Sequence, residues 1–260
     1  MLDFHNHLMP AVDDGACDLN ESREGLETFR SQGVTTVITT PHLRGSMTMR
    51  QTELAGFLGV LDEAWEQLST LAKSEFPELR LERGVELMLD VPQPVLDDVR
   101  VRLAGTSFAL VEFPFMSVPP NSTLAIRNIV EAGWNPVVAH PERYANMEPN
   151  YGLIESWREA GARIQVNSGS LLGYYGAVPR KLAWAILRDG LAHYLSSDYH
   201  ARGKCAVAAA AEHMKARGGE AIWRLLTTTN PERLIAGKAP LPVPPFVPDE
   251  LPVWKRVLPW

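Results

Sequence analysis

Histidine and carboxylate residues recur in one kind of place along this chain, at the ends of short apolar runs that read as β-strands. The first case is the most compact. Residues 2–7 form a strand-like stretch that carries His5 and His7, two positions apart. In a strand, residues i and i+2 point to the same face, so both imidazoles project one way. Asp13 and Asp14 follow beyond Pro10, in a loop. Imidazoles and a carboxylate at this spacing suit a divalent metal of the zinc, manganese or iron kind. An isolated His-x-His would more often be a polar strand facing solvent. The recurrence downstream is what separates the two cases.

Further strand-like runs occupy residues 34–40, 79–87, 108–113, 135–139, 163–166 and 191–196. Helical patterns lie between them. Asp18 with Glu21 three residues on predicts a capped helix over 19–32, stopped by Gly33. Leu54, Leu58, Leu61, Trp65, Leu68 and Leu71 have the spacing of a helix over 52–74. Pro92 predicts a short helical turn to residue 99. Other helices are expected over 122–132, 151–160, 179–189, 204–217, 221–227 and 231–235, with loops over 44–49, 140–150 and 167–179. Seven strands alternating with helices imply an α/β protein with a parallel sheet, and the length favours a closed or nearly closed TIM-like (β/α)7 barrel. One unit covering residues 1–238 is expected.

Composition narrows the class. The 260 residues are 45% hydrophobic and 22% charged, with a formal net charge of −6. That balance argues against a nucleic-acid backbone as partner, which needs a basic excess. Cys17 and Cys205 are the only cysteines. With no Cys-x-x-Cys, neither a disulfide framework nor a thiolate zinc site is indicated. No basic region precedes an apolar stretch at the start, and no apolar run is long enough for a bilayer, so a cytoplasmic protein with no membrane span is expected. From residue 239 the character changes. Pro240, Pro242, Pro244, Pro245, Pro248, Pro252 and Pro259 prevent helix or central strand. Phe246, Trp254 and Trp260 make this tail too apolar for a solvated linker, and it is expected to wrap the barrel in extended form.

The strand-end residues are His5, His7, His42, Glu86, Glu112, His140, Asp198 and His200. In α/β barrels the loops at that end carry the chemistry. Five of the seven histidines belong to this set; His193 and His213 do not, and packing or surface roles are expected for them. Glu112 interrupts an apolar strand, where an ionised carboxylate is costly unless paired or metal-bound. The inventory exceeds what one metal needs. Two or three divalent ions sharing a bridging carboxylate are expected. Ions about 3.5–4 Å apart clamp an in-line displacement at phosphorus and generate hydroxide from water.

His-Asn-His-Leu-Met-Pro, Asp-Asp-Gly-Ala, Thr-Pro-His, Gly-Val-Glu, Val-Glu-Phe-Pro, Ala-His-Pro-Glu-Arg-Tyr and Ser-Asp-Tyr-His together resemble the polymerase-and-histidinol-phosphatase (PHP) superfamily. More closely, they resemble its bacterial tyrosine-protein phosphatases of capsule and exopolysaccharide synthesis, the CpsB/CapC family. The resemblance runs from Met1 to about Gly237. It implies a distorted seven-stranded barrel with three divalent ions, commonly manganese, with iron, cobalt or zinc as alternatives. Carried over, one ion would have His5, His7, Glu86 and Asp198. A second would have Glu86 as bridge with Glu112 and His140. The third would have Asp14, His42 and His200. Arg143 matches the family's phosphate-binding arginine, and a guanidinium can grip phosphoryl oxygens in bidentate fashion. A second family arginine beyond the final histidine has no counterpart here; Arg202 is the nearest substitute for substrate binding. Tyr199 replaces a small residue, and the 43–49 loop and the tail lie outside the pattern. The implied activity is phosphomonoester hydrolysis by metal-bound hydroxide on a phosphotyrosyl protein, such as the C-terminal tail of a membrane-associated tyrosine kinase. Three alternatives stand beside it. They are a histidinol-phosphate-like small-molecule phosphatase, an amidohydrolase-type barrel and an inactive metal-binding scaffold. The second would need a mid-barrel lysine where Glu86 and Glu112 stand, and the complete ligand set weighs against the third.

Overall fold

Every strand pairing among the described residues is parallel. The computed structural model describes residues 1–248. Its strands are β1 (Leu2–Asp3), β2 (Thr36–Thr39), β3 (His42–Arg44), β4 (Arg80–Arg83), β5 (Glu86–Met88), β6 (Phe108–Glu112), β7 (Asn135–Ala139), β8 (Arg163–Asn167) and β9 (Tyr194–Ser196). One sheet runs β1-β2-β4 and the other β3-β5-β6-β7-β8-β9. β2 and β3 are two parts of one bent strand, as are β4 and β5, so the nine segments make seven staves. The seam is closed where Asn6 bridges Tyr199 in parallel. There the His7 N–H donates to the Tyr199 carbonyl at 2.8 Å and the Asp198 N–H to the His5 carbonyl at 2.7 Å. The barrel expected from the strand–helix alternation is therefore present.

The bends are where the structure departs from the sequence pattern. The second run was expected to end at Pro41. Instead the chain resumes as β3, which pairs with β5 and sets His42 in register with Glu86. Residues 45–48 then form a helical turn rather than loop. The third run breaks at Gly84-Val85, where the Gly84 N–H still bonds the Thr39 carbonyl at 3.0 Å. A side chain at Gly84 would meet the Arg102 carbonyl and Leu103 at 3.1 Å, so a larger residue would crowd this close approach and glycine suits it. The helical turn expected over 92–99 is absent. Pro94 forces Gln93 away from helical geometry, and the first 3-10 turns beyond it come at Val99–Val101 and Leu103–Gly105. Conversely, a short helix Ser168–Leu172 occupies the expected 167–179 loop.

Other helices form for legible reasons. Asp18 caps Leu19–Ser31 by accepting from the Asn20 and Glu21 N–H groups. Glu21 reaches back to the Cys17 N–H at 2.7 Å, one residue short of a standard capping box. The helix Gln51–Glu75 buries Leu58, Leu61, Leu68 and Leu71, the expected stripe. Inside the barrel lies an apolar floor of Phe4, Ile38, Phe108, Leu110, Val137 and Tyr194, with Phe4 and Tyr194 edge to face at 5.2 Å. Buried polar residues begin where this floor stops, at strand C-terminal ends. No helix among the described residues is long and apolar enough to cross a membrane.

The tail is described to residue 248. Leu241 exchanges hydrogen bonds with the Asn230 side chain at 2.8 and 3.1 Å. The Phe246 N–H bonds the Leu187 carbonyl at 3.0 Å, and its ring is buried, 6.4 Å from that of Trp184. Trp254 and Trp260 lie outside the described residues.

His193 sits apart from the strand-end set and ties β8 to the approach of β9. Its Nδ1 accepts the Ile164 N–H at 3.0 Å, so the ring is held neutral. Burial, then Arg158 and Arg163, lower its pKa from 6.5 to about 3. A depressed folded-state pKa means that the unfolded chain binds the proton first. The stability this group contributes is complete above 6.5 and is lost as pH falls from there toward about 3. His193→Asn keeps an acceptor without titrating. Thermal midpoints between pH 7.5 and 5 should therefore fall less steeply in the variant, the difference being at most about 1.4 kcal/mol per pH unit. Parallel pH profiles would remove this role from His193.

Candidate metal centre

The geometry starts from the alternation in the first strand. Asn6 points outward and stitches the strand to its neighbour, donating to the Asp3 carboxylate at 3.0 Å and the Ile38 carbonyl at 3.1 Å. His5 and His7 point inward and are fully buried. His5 Nε2 lies 3.1 Å from Glu86 Oε1 and 3.3 Å from Asp198 Oδ1. His7 Nε2 lies 3.4 Å from Glu86 Oε2 and 3.4 Å from Asp198 Oδ1. On the other side of Glu86, His42 Nδ1 stands 3.2 Å from Oε2 and 3.4 Å from Glu112 Oε1. At the mouth, Asp14 Oδ1 faces His42 Nε2 at 3.5 Å and His200 Nε2 at 3.4 Å.

Three groups result whose potential ligand atoms lie within 4.8 Å of one another. They are His5, His7, Glu86 and Asp198; His42, Glu86 and Glu112; and His7, Asp14, His42 and His200. The first has the membership implied by resemblance. The second has His42 where His140 was expected, and the third gains His7. His140 falls in none of the three, yet its Nε2 is 3.0 Å from Glu86 Oε1. Arg143 donates to Asp198 Oδ2, and its guanidinium lies 4.2 Å from the centre of the Tyr175 ring. Arg202 donates to the Asp14 carbonyl at 2.8 Å and contacts the Cys17 thiol, so it braces the loop that carries Asp14. Gly15 in that loop packs on His7, whose carbonyl oxygen would lie 2.0 Å from any added side-chain carbon.

Behind these residues is a layer of polar groups that strand-end positions alone did not single out. Asp13 Oδ2 takes His7 Nδ1 at 2.6 Å and the His42 N–H at 3.0 Å. Gln165 Oε1 takes His5 Nδ1 at 2.9 Å. With Nδ1 donating, each ring turns the Nε2 lone pair toward the centre. Gln165 also donates to Asn167, which donates to Asp198 at 3.0 Å. Glu142 accepts from the Asn167 N–H and the Ser170 hydroxyl at 2.9 and 2.7 Å. A signal for Gln165 and Asn167 did exist: both are polar positions in an apolar strand, the criterion already applied to Glu112. His140 and Asp198 adopt left-handed backbone, with φ of 34° and 54°. Such strain in non-glycine residues costs about 1–3 kcal/mol each and persists where surrounding bonds over-determine it.

The electrostatics are those of a cation site. Burial opposes charge on His5, but Glu86 and Asp198 outweigh it and hold its pKa up to about 9. Burial likewise works against ionised Glu86, yet His5, His140 and His7 hold its pKa well below the ordinary value. Asp13, opposed by burial but bonded to His7, is held down at about 2. Burial, then Asp198, push the Tyr175 phenol up to about 12. The decisive feature is a set of orphaned atoms. His5 Nε2, His7 Nε2, His42 Nδ1, Glu86 Oε2 and His140 Nδ1 are buried with no hydrogen-bond partner among the described residues. Buried polar atoms are normally satisfied, and this nitrogen-and-oxygen donor set fits divalent first-row metals. Cations bound there would satisfy the inward-facing atoms while displacing protons from the imidazoles.

If Glu86 serves two of the groups, Glu86→Gln should lower the ions retained per chain more than Glu112→Gln does, read by elemental analysis. Chelation of the wild type should lower its thermal midpoint, since saturation at 100 times Kd contributes about 2.7 kcal/mol. Full metal content in Glu86→Gln would rule out the shared carboxylate.

Comparison with known proteins places this geometry. Residues 1–236 match the family model described as capsular polysaccharide synthesis, CpsB/CapC. The chain is 32% identical over 203 residues to the tyrosine-protein phosphatase YwqE of Bacillus subtilis, covering 77% of each chain. It is 28% identical over 207 residues to the tyrosine-protein phosphatase CpsB of Streptococcus pneumoniae, covering 77% of this chain and 83% of the relative. A solved structure from work on YwqE and the pneumococcal CpsB, described as unique metal-dependent tyrosine phosphatases, superposes with a TM-score of 0.80 at 28% identity. That superposition covers 96% of this chain and 100% of the other. A barrel with a multi-histidine, multi-carboxylate centre, matched along nearly its whole described length, belongs to the CpsB/CapC family of capsular polysaccharide synthesis.

Proposed function

We propose that this chain is a metal-dependent protein-tyrosine phosphatase acting in the cytoplasm on the phosphotyrosyl tail of a tyrosine kinase of exopolysaccharide synthesis. The observation that carries this is the convergence of three overlapping histidine and carboxylate groups, two of which share Glu86, with Arg143 at their edge. Similarity to the tyrosine-protein phosphatases above supports the substrate class. Residues 1–238 form the phosphatase unit, and the segment from 239 is an accessory to it.

Divalent ions, manganese first, supply Lewis-acid stabilisation of the phosphoryl oxygens and lower the pKa of water. His5, His7, Glu86 and Asp198 would hold one ion. Glu86 extends to Glu112, with His140 and His42 in reach, and Asp14, His42 and His200 complete the set. Arg143 does the remaining work on the substrate. Its side chain is 23% exposed, and Asp198 is its hydrogen-bond partner among the described residues. The rest of its fork is free to grip the outer phosphoryl oxygens and offset their charge. The leaving phenolate, with a pKa of about 10, departs with little protonation, so no separate general acid is required. Arg202 contributes by bracing the Asp14 loop.

Metal-replete protein should hydrolyse a phosphotyrosyl peptide in preference to a small alkyl phosphomonoester. The opposite preference would favour a histidinol-phosphate-like enzyme. Arg143→Lys should keep metal content and thermal midpoint but lose on the order of 10²-fold in kcat/KM. Arg143→Ala should lose at least as much and be inhibited less well by free phosphate. Wild-type kinetics in Arg143→Ala would place this residue outside the chemistry. The Cys17→Ser, Cys205→Ser double variant should remain active. Cys17 and Arg23 do have Cys-x5-Arg spacing, but the residues between them are the capped start of the helix Leu19–Ser31, and Arg23 pairs with Glu75. They therefore form no phosphate-binding loop for covalent catalysis, and Cys205 lacks the spacing. Inactivity with metal intact would contradict a thiol-independent mechanism.

A further inference from the structure

We propose, resting on the tyrosine-phosphatase assignment above, that Tyr174 and Tyr175 form an aromatic wall that receives the substrate's aryl ring and discriminates aryl from alkyl phosphates. The two residues occupy a turn, Gly173-Tyr174-Tyr175-Gly176, between the helices Ser168–Leu172 and Ala177–Arg188. Both glycines have left-handed backbone, with φ of 83° and 102°, which lets the chain reverse within four residues. The turn sits directly on Gly169. A side-chain carbon there would lie 3.1 Å from the edge of the Tyr175 ring and 3.4 Å from Tyr174. The absence of a side chain at Gly169 thus seats both rings against the helix that follows β8.

Two adjacent tyrosines are then left open to solvent, Tyr174 at 46% and Tyr175 at 37% exposure. Neighbouring exposed aromatics beside a polar cleft are characteristic of a binding surface. Their place relative to Arg143 gives the ligand class. The Arg143 guanidinium lies 4.2 Å from the centre of the Tyr175 ring and also contacts Asp198. A phosphoryl group held by Arg143 is joined to its aryl ring through one bridging oxygen. That short link brings the substrate ring to the distance at which aromatic pairs stack or meet edge to face, about 4.5–7 Å between centroids. A seryl or threonyl phosphate carries no ring to fill this space. Tyr175 is therefore a specificity-determining residue, with Tyr174 extending the wall outward.

The test is binding of benzylphosphonate and methylphosphonate to manganese-loaded protein by calorimetry, with phosphotyrosyl-peptide hydrolysis measured in parallel. Wild type should bind the benzyl compound more tightly. Tyr175→Ala should reduce that preference about fivefold and Tyr174→Ala by a smaller factor, while Tyr175→Phe keeps it within about twofold. Metal content and circular dichroism verify that each variant is folded, and Tyr174→Ala carries the test where Tyr175→Ala is not. An unchanged benzyl-to-methyl preference in both alanine variants would overturn the wall. So would equal weakening of both ligands, which would mean that Tyr175 acts only by holding Arg143. Hydrolysis of phosphotyrosyl peptide with an unchanged preference would sink the wall alone, whereas no such hydrolysis by wild type would sink the underlying assignment.

Discussion

A single buried carboxylate governs this structure. Glu86 is fully buried and has His5, His7, His42 and His140 within 3.0–3.4 Å. Taking an ion out of water costs several kcal/mol even after relaxation, about as much as a small protein's whole margin of stability. The cost is met only if positive charge stands on every open side of the carboxylate. That requirement explains otherwise unrelated features of the fold. The third stave breaks at Gly84, so Glu86 opens a new strand segment in register with His42. The second stave bends at Pro41, so His42 is carried to it. The first stave alternates, so His5 and His7 arrive together.

Much of this was legible because barrels place strand-end residues around a common centre. The period-2 spacing of His5 and His7 and the lone Glu112 in an apolar run needed no tertiary information. The bends were not legible. Residues 34–44 and 79–88 read equally well as single straight strands, and the bends depend on backbone packing, such as Gly84 against Arg102 and Leu103. The supporting polar layer was missed for another reason. Gln165 and Asn167 are neither ionisable nor good metal ligands, so their inward placement on β8 drew no attention. Tyr174 and Tyr175 do lie in a turn, within the expected 167–179 loop, but their place beside Arg143 was not legible because the helix Ser168–Leu172 was not anticipated. Pro92 pointed the wrong way, since the constraint that Pro94 places on Gln93 outweighed the preference for proline at a helix start.

The inner ligands are held by partners that fix their direction. His7 is locked by Asp13 and His5 by Gln165. Asp198 is bonded by Asn167 and Arg143. This layer also sustains the left-handed conformations of His140 and Asp198, which would relax in an isolated loop. The same bonds tie Arg143 to the centre, since Asp198 is shared between it and the imidazoles. The charge of Arg143 and the charge of the histidine and carboxylate centre are therefore set by one network, not by two adjacent ones.

The location of the centre has a further physical consequence. β1 and β9 are the first and last staves, and the barrel is closed between them by the Asn6–Tyr199 bridge and two flanking backbone bonds. His5 and His7 lie on one side of that seam and Asp198 and His200 on the other, about three quarters of the chain apart in sequence. Contacts of such long separation form late and at high entropic cost. Cations bound across the seam cross-link those two ends, so their binding free energy acts on the closure of the fold as well as on the chemistry. The apolar floor below, with Phe4 against Tyr194, closes the same seam without metal. Floor and centre thus divide the work along one junction: apolar packing joins the staves at the base, and charge joins them at the mouth, where substrate must enter.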